Sequence, residues 1–86
     1  MGKMNLNSLL QKIRQNIVNA IDTRNRKTLG ELYIALSIIR EAAYQSGDEP
    51  FIHVIIALEG VAQNGAMGVG IKAELPSVED IQNACL

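Results

Sequence analysis

Apolar residues recur in steps of three and four along most of the chain, which is the spacing of amphipathic helices. Residues 5–24 keep this spacing without interruption, and polar side chains fill the positions between. The apolar residues that follow this spacing are Leu6, Leu9, Leu10, Ile13, Ile17, Ala20 and Ile21. The pattern predicts a first helix over residues 5–24, with Asn5 or Asn7 as its N-cap.

A second helix is predicted over residues 28–45. The polar segment TRNRK interrupts the apolar period just before it. Thr28 followed by Glu31 matches a capping box, in which each side chain satisfies a backbone N–H at the start of a helix. Gly47 then stands where a residue with left-handed backbone often ends a helix.

A third helix is predicted over residues 50–63. Asp48 is a suitable N-cap, and Pro50 is tolerated in the first turn because the N–H that proline lacks has no helical partner there. Isoleucine-rich runs in the second and third segments also allow strands. Their lengths, caps and alanine content favour helices.

The C-terminal part of the chain is predicted to be less regular. Three glycines within residues 65–70 indicate a flexible linker, and Ser77 with Asp80 three residues later indicates the start of a short helix. The predicted fold class is therefore all-α, a small bundle of three main helices plus a short C-terminal helix. Residues 1–86 form a single domain, because so short a chain supports only one hydrophobic core.

Four isoleucines lie outside the helix faces that this core requires. At about 100° per residue, Ile34 and Ile38 fall opposite the apolar face of the second helix. Ile52 and Ile56 are placed in the same way on the third helix. Other segments of the same chain are one possible cover for them. The favoured interpretation is that they form the interface of a two-fold homodimer.

The charges are sorted along the chain, although the net charge is only −1. Residues 1–27 carry a net charge of +5, and residues 28–86 carry −6. Clustered Lys and Arg side chains attract acidic proteins and phosphate backbones. The alternative is that these basic residues are solvated and bind no partner. The residues predicted to contact an anionic partner are Lys12, Arg14, Arg24, Arg26 and Lys27.

No set of catalytic or metal-binding residues is evident. His53 and Cys85 are the only histidine and cysteine, so no metal-ligand spacing is available. The glycine-rich segment does not match a phosphate-binding loop, because Ile71 separates Gly70 from Lys72. We therefore expect no metal, no cofactor and no enzymatic activity.

These observations do not identify a biochemical activity. The chain has one cysteine, no evident secretory signal and no apolar run long enough to span a membrane. We therefore expect a cytoplasmic protein that does not enter a membrane. The first hypothesis is a non-enzymatic protein-interaction module, an adaptor, regulator or inhibitor that acts as a helical homodimer. The alternative is a weak nucleic-acid-binding protein that uses the basic first helix and the turn at residues 24–27. With 3% aromatic residues, the chain has few rings on which bases could stack.

Overall fold

A computed structural model describes residues 3–86, with side chains described from Asn5 onward. This part of the chain contains α1 (Lys3–Asp22), α2 (Arg26–Ser46), α3 (Glu49–Ala66) and α4 (Val78–Ala84). A single 3-10 turn at Lys72–Glu74 precedes α4, and residues 3–86 contain no strand. The predicted all-α fold, three main helices followed by a short fourth, is confirmed.

The helices α1 and α2 each begin two residues earlier than predicted, and their predicted N-caps were wrong. Asn5 and Asn7 lie inside α1, because this helix already begins at Lys3. The spacing of apolar residues locates the buried face of a helix but does not locate a polar first turn. In α2 the N-cap is Asn25, whose side-chain oxygen accepts a hydrogen bond from the Thr28 N–H at 3.1 Å. Asn caps helices at least as well as Thr, and Arg24 adopts a left-handed φ of 54° that turns the chain into this cap.

The predicted signals around α3 and α4 are confirmed. Gly47 ends α2 with a φ of 70°, and the Asp48 side chain accepts a hydrogen bond from the backbone N–H of Phe51. Ser77 and Asp80 form a capping box, with the two hydrogen bonds at 3.0 and 3.1 Å. The end of α3 differs, since the helix continues to Ala66 and includes Gly65.

The helices pack around one core, with α2 and α3 as its central pair. These two helices form an antiparallel hairpin joined by two residues, and they share the most extensive contact in the described chain. Helix α1 packs on α2, and α4 contacts both α3 and α1. The fully buried large side chains come from all four helices: Leu10, Ile17, Leu29, Leu36, Ile55, Leu58 and Ile81.

The segment before α4 is fixed to α1 by side-chain hydrogen bonds. Gln11 Nε2 donates to the Val78 carbonyl at 2.9 Å, and Arg14 Nε donates to the Pro76 carbonyl at 2.8 Å. These bonds bring together residues more than sixty positions apart and place α4 against α1. Among the described residues, none of the helices combines the length and the apolar character needed to cross a membrane.

Candidate interaction surface

Helix α2 carries two isoleucines on its outer side. Ile34 is 61% exposed and Ile38 is 67% exposed, and they lie one turn apart. The buried residues of α2 are Leu29, Leu36 and Ala43, which follow the opposite side of the helix. The prediction that Ile34 and Ile38 are not needed for the core of one chain is therefore confirmed.

The corresponding prediction for α3 was wrong for Ile52, which is only 7% exposed. Ile52 and Glu59 are seven residues apart and thus lie on one stripe of α3. The Glu59 carboxylate is bonded to α2, so this stripe is turned toward α2 and Ile52 is covered by the hairpin. Ile56, slightly further around α3, remains 40% exposed.

A polar cluster between α2 and α3 fixes the rotation of α2. Glu59 Oε2 accepts hydrogen bonds from Ser37 Oγ at 2.7 Å and from Arg40 Nε at 3.0 Å. The Arg40 guanidinium also lies over the Tyr44 ring, 5.9 Å from its centre. Hydrogen bonds to the Tyr44 side chain and to the Glu59 carboxylate raise the pKa of the Arg40 guanidinium. With Ser37 and Arg40 held toward α3, the side of α2 that bears Ile34 and Ile38 faces away from the hairpin.

An apolar groove of about 550 Å³ lies beside these isoleucines. Leu6 of α1 lines it on one side, and Ile38, Ile39 and Ala42 of α2 line it on the other, with Phe51 of α3 also contributing. We call this the α1–α2 groove. Because Ile38 belongs both to the groove and to the outer side of α2, the two apolar surfaces are continuous.

Sequence reasoning missed the contribution of α1 to this surface. Leu6 is only partly buried, and Leu9, counted on the core face of α1, is 42% exposed. The sequence carries part of the signal, because nine of the 20 residues of α1 are apolar. The structure adds that α2 and α3 pack mainly with each other. When a helix has more apolar surface than its neighbours can cover, the edge of that surface stays in solvent.

The basic residues predicted to bind an anionic partner have different environments. Lys12, Arg24, Arg26 and Lys27 are exposed, and Arg14 is partly buried. Arg14 donates to the Pro76 carbonyl, and Arg26 Nε donates to the Ala66 carbonyl at 2.9 Å, at the end of α3. A cation is favoured at a helix C-terminus, where carbonyl groups lack partners. Arg14 and Arg26 therefore contribute to packing within the chain.

A second cavity, also of about 550 Å³, lies next to the turn between α1 and α2. Arg24 and Arg26 line it together with Ile21, Leu29 and three glycines. Two of these glycines lie in close packing contacts, one against backbone and one against a side chain. A Cβ at Gly70 would come within 2.7 Å of the Gly65 Cα, and a Cβ at Gly65 would come within 2.8 Å of Leu29 Cδ1. The glycine-rich segment thus folds back onto the end of α3.

Within residues 3–86, no three His, Cys, Asp or Glu side chains are grouped so that they could hold a metal ion. Comparison of the chain with protein-family models, with curated proteins and with solved structures finds no match.

Proposed function

We propose that this chain is a non-enzymatic protein-interaction module that acts as a homodimer through the outer side of α2. The observation that supports this proposal is the exposure of Ile34 and Ile38, which continue into the α1–α2 groove. Each isoleucine side chain gains about 1.5–3 kcal/mol when it is fully removed from water. A contiguous apolar surface of this kind is typical of a contact with another molecule.

A second copy of the chain is the partner that this surface fits best. Most soluble homo-oligomers have closed symmetry, and the two-fold dimer is the commonest form. In such a dimer the isoleucines of one α2 contact those of the other, and Glu31 and Glu41 lie at the rim in water. Ile56 lies nearer the edge, while Ile52 acts inside each chain and has no place in the interface.

The dimer is tested by the double variant Ile34→Ser/Ile38→Ser. Ser and Ile have similar helix propensities, so α2 should still form. We expect the wild-type chain to sediment as a dimer at micromolar concentration and the variant to sediment at the one-chain mass of 9.4 kDa.

The matched control for this experiment is Val69→Ser. Val69 is 61% exposed, like Ile34, but it lies outside α2. The control should remain dimeric, which separates the role of α2 from a general loss of apolar surface. A wild-type chain that sediments at the one-chain mass would remove the main support for the proposal.

In this proposal the dimer serves as an adaptor, regulator or inhibitor of an acidic protein in the cytoplasm. Lys12 and Arg24 are available for such a partner, because they are exposed and lie outside α2. The single cysteine is consistent with a reducing compartment.

Weak nucleic-acid binding is the second candidate function. Two arginines, Arg24 and Arg26, line one cavity at the turn before α2, and guanidinium groups bind phosphate readily. The first candidate remains preferred, since Arg26 already donates to a backbone carbonyl.

A further inference from the structure

The outer side of α2 carries charges at equal distances from Ile34. Lys27 precedes Ile34 by seven residues and Glu41 follows it by seven, so all three lie on one stripe of the helix. Lys27 and Glu41 are both exposed. We call the surface formed by Lys27, Glu31, Ile34, Ile38 and Glu41 the α2 stripe. Lys27 lies at one end of the stripe and Glu41 at the other, with Glu31 and the two isoleucines between them.

We propose that two copies of the chain pair their α2 helices in antiparallel orientation, with the two-fold axis at Ile34. This inference rests on the proposed dimer and specifies its register. Ile34 then meets the partner's Ile34, and Lys27 lies opposite the partner's Glu41 at both ends of the contact. The α2 stripe is thus complementary to itself in charge as well as in apolar surface.

Gly30 leaves open space on α2 at the point where this register places Ile38 of the other copy. Gly30 is the fifth residue of α2, inside the helix, where a glycine is unfavourable relative to alanine, and nothing in the same chain lies within 4 Å of a Cβ built there. Packing inside one chain therefore does not explain this glycine. In the proposed register the partner's Ile38 enters a hole formed by Lys27, Gly30, Glu31 and Ile34, which is the spacing of a knob-into-hole contact. The missing side chain at Gly30 makes room for it.

Other two-fold registers are less favourable in charge. Moving the axis to the midpoint of Ile34 and Ile38 pairs these isoleucines directly, but it places Glu31 opposite the partner's Glu41 twice. A parallel arrangement places each of Lys27, Glu31 and Glu41 against its own copy. Like charges that face each other across an interface oppose association.

Charge reversal distinguishes these registers. Lys27→Glu or Glu41→Lys alone should weaken dimerisation about tenfold, because each turns two attractive contacts into repulsive ones. The double variant K27E/E41K should restore wild-type affinity, and a mixture of the two single variants should form heterodimers. Glu at residue 27 suits the start of a helix, so unfolding does not explain a loss of dimer.

Glycine substitution gives a second test with a matched control. Gly30→Ala should weaken dimerisation about tenfold, since the added methyl group occupies the hole for the partner's Ile38. Gly60→Ala is the control, because residue 60 also has open space around it and lies within α3. It should leave the dimer constant unchanged.

Sedimentation equilibrium measures the dissociation constant of the dimer for the wild-type chain and for each variant, and these values test the register. A wild-type chain without a dimer overturns the proposed function itself. A dimer that depends on Ile34 and Ile38 but is strengthened by E41K overturns only the register, in favour of the axis between the two isoleucines. A dimer unaffected by K27E, E41K and G30A also overturns it.

Discussion

Residue 70 is a glycine because two backbone segments meet there. The end of α3 and the chain that folds back from it approach so closely that a Cβ at Gly70 would lie 2.7 Å from the Gly65 Cα. A backbone atom at that distance cannot be moved by a change of rotamer. The glycine-rich segment is therefore shaped by packing, whereas its composition alone indicated a flexible linker.

Gly70→Ala should lower the free energy of unfolding by about 1–3 kcal/mol, because the methyl group forces these segments apart. Gly65→Ala is the comparison. Its methyl group would meet a Leu29 methyl at 2.8 Å, but that side chain can shift, and alanine gains about 1 kcal/mol in a helix. Urea unfolding at one protein concentration measures both. A Gly70→Ala loss no larger than that of Gly65→Ala would contradict this account.

At the scale of whole elements, α4 is the helix that depends most on its surroundings. It has only seven residues, which is too short to be stable by itself in water. The Ser77–Asp80 capping box, the buried Ile81 and the donors Gln11 and Arg14 hold it in place. Cys85 follows α4 directly and is buried, so its thiol reports on whether α4 is docked.

Ser77→Ala should accelerate modification of Cys85 by a thiol reagent about fivefold. The change removes an N-cap worth about 1 kcal/mol and so raises the population in which α4 is detached. Ser8→Ala serves as the control, because Ser8 is an exposed residue of α1. Equal modification rates in the two variants would mean that the cap does not govern the opening of α4.

The elements show which parts of the fold the sequence determines locally. Asp48, Gly47 and the Ser77–Asp80 pair act within a few residues of their own position, so their roles were predictable. The burial of Ile52 depends on the angle at which α3 faces α2, which the contacts of Glu59 reveal and a helical wheel does not. Thr28 was misassigned because Asn25 offered a competing cap three residues earlier.

At the scale of the whole molecule, basic and acidic residues are separated along the chain, and the sequence alone shows this separation. The N-terminal 27 residues are basic and the remainder is acidic. The sequence did not show which basic side chains form hydrogen bonds within the chain. Arg14 and Arg26 donate to carbonyl groups about 60 and 40 residues away in sequence. Only a folded chain brings such partners together.

Nucleic-acid binding, the second candidate function, has a direct test at this scale. If phosphate contacts dominate, affinity in an electrophoretic shift titration should fall steeply between 50 and 200 mM salt. The variant Lys12→Gln/Arg24→Gln should weaken it further, while Lys72→Gln is the control, since Lys72 already pairs with Asp22. No shift at the lower salt concentration would exclude this candidate.

The continuity of the α2 stripe with the α1–α2 groove bears on the size of the assembly. Ile38 belongs to both surfaces, so a neighbouring copy could pair stripe with stripe or insert its stripe into the groove. The first mode closes after two copies, whereas the second leaves a free stripe and a free groove at the ends and so permits an open filament. Because Lys27 meets Glu41 of the other copy only when the stripes pair, these two charges favour the closed form. In this view the two charges limit polymerisation, and the solubility of the chain at high concentration depends on them.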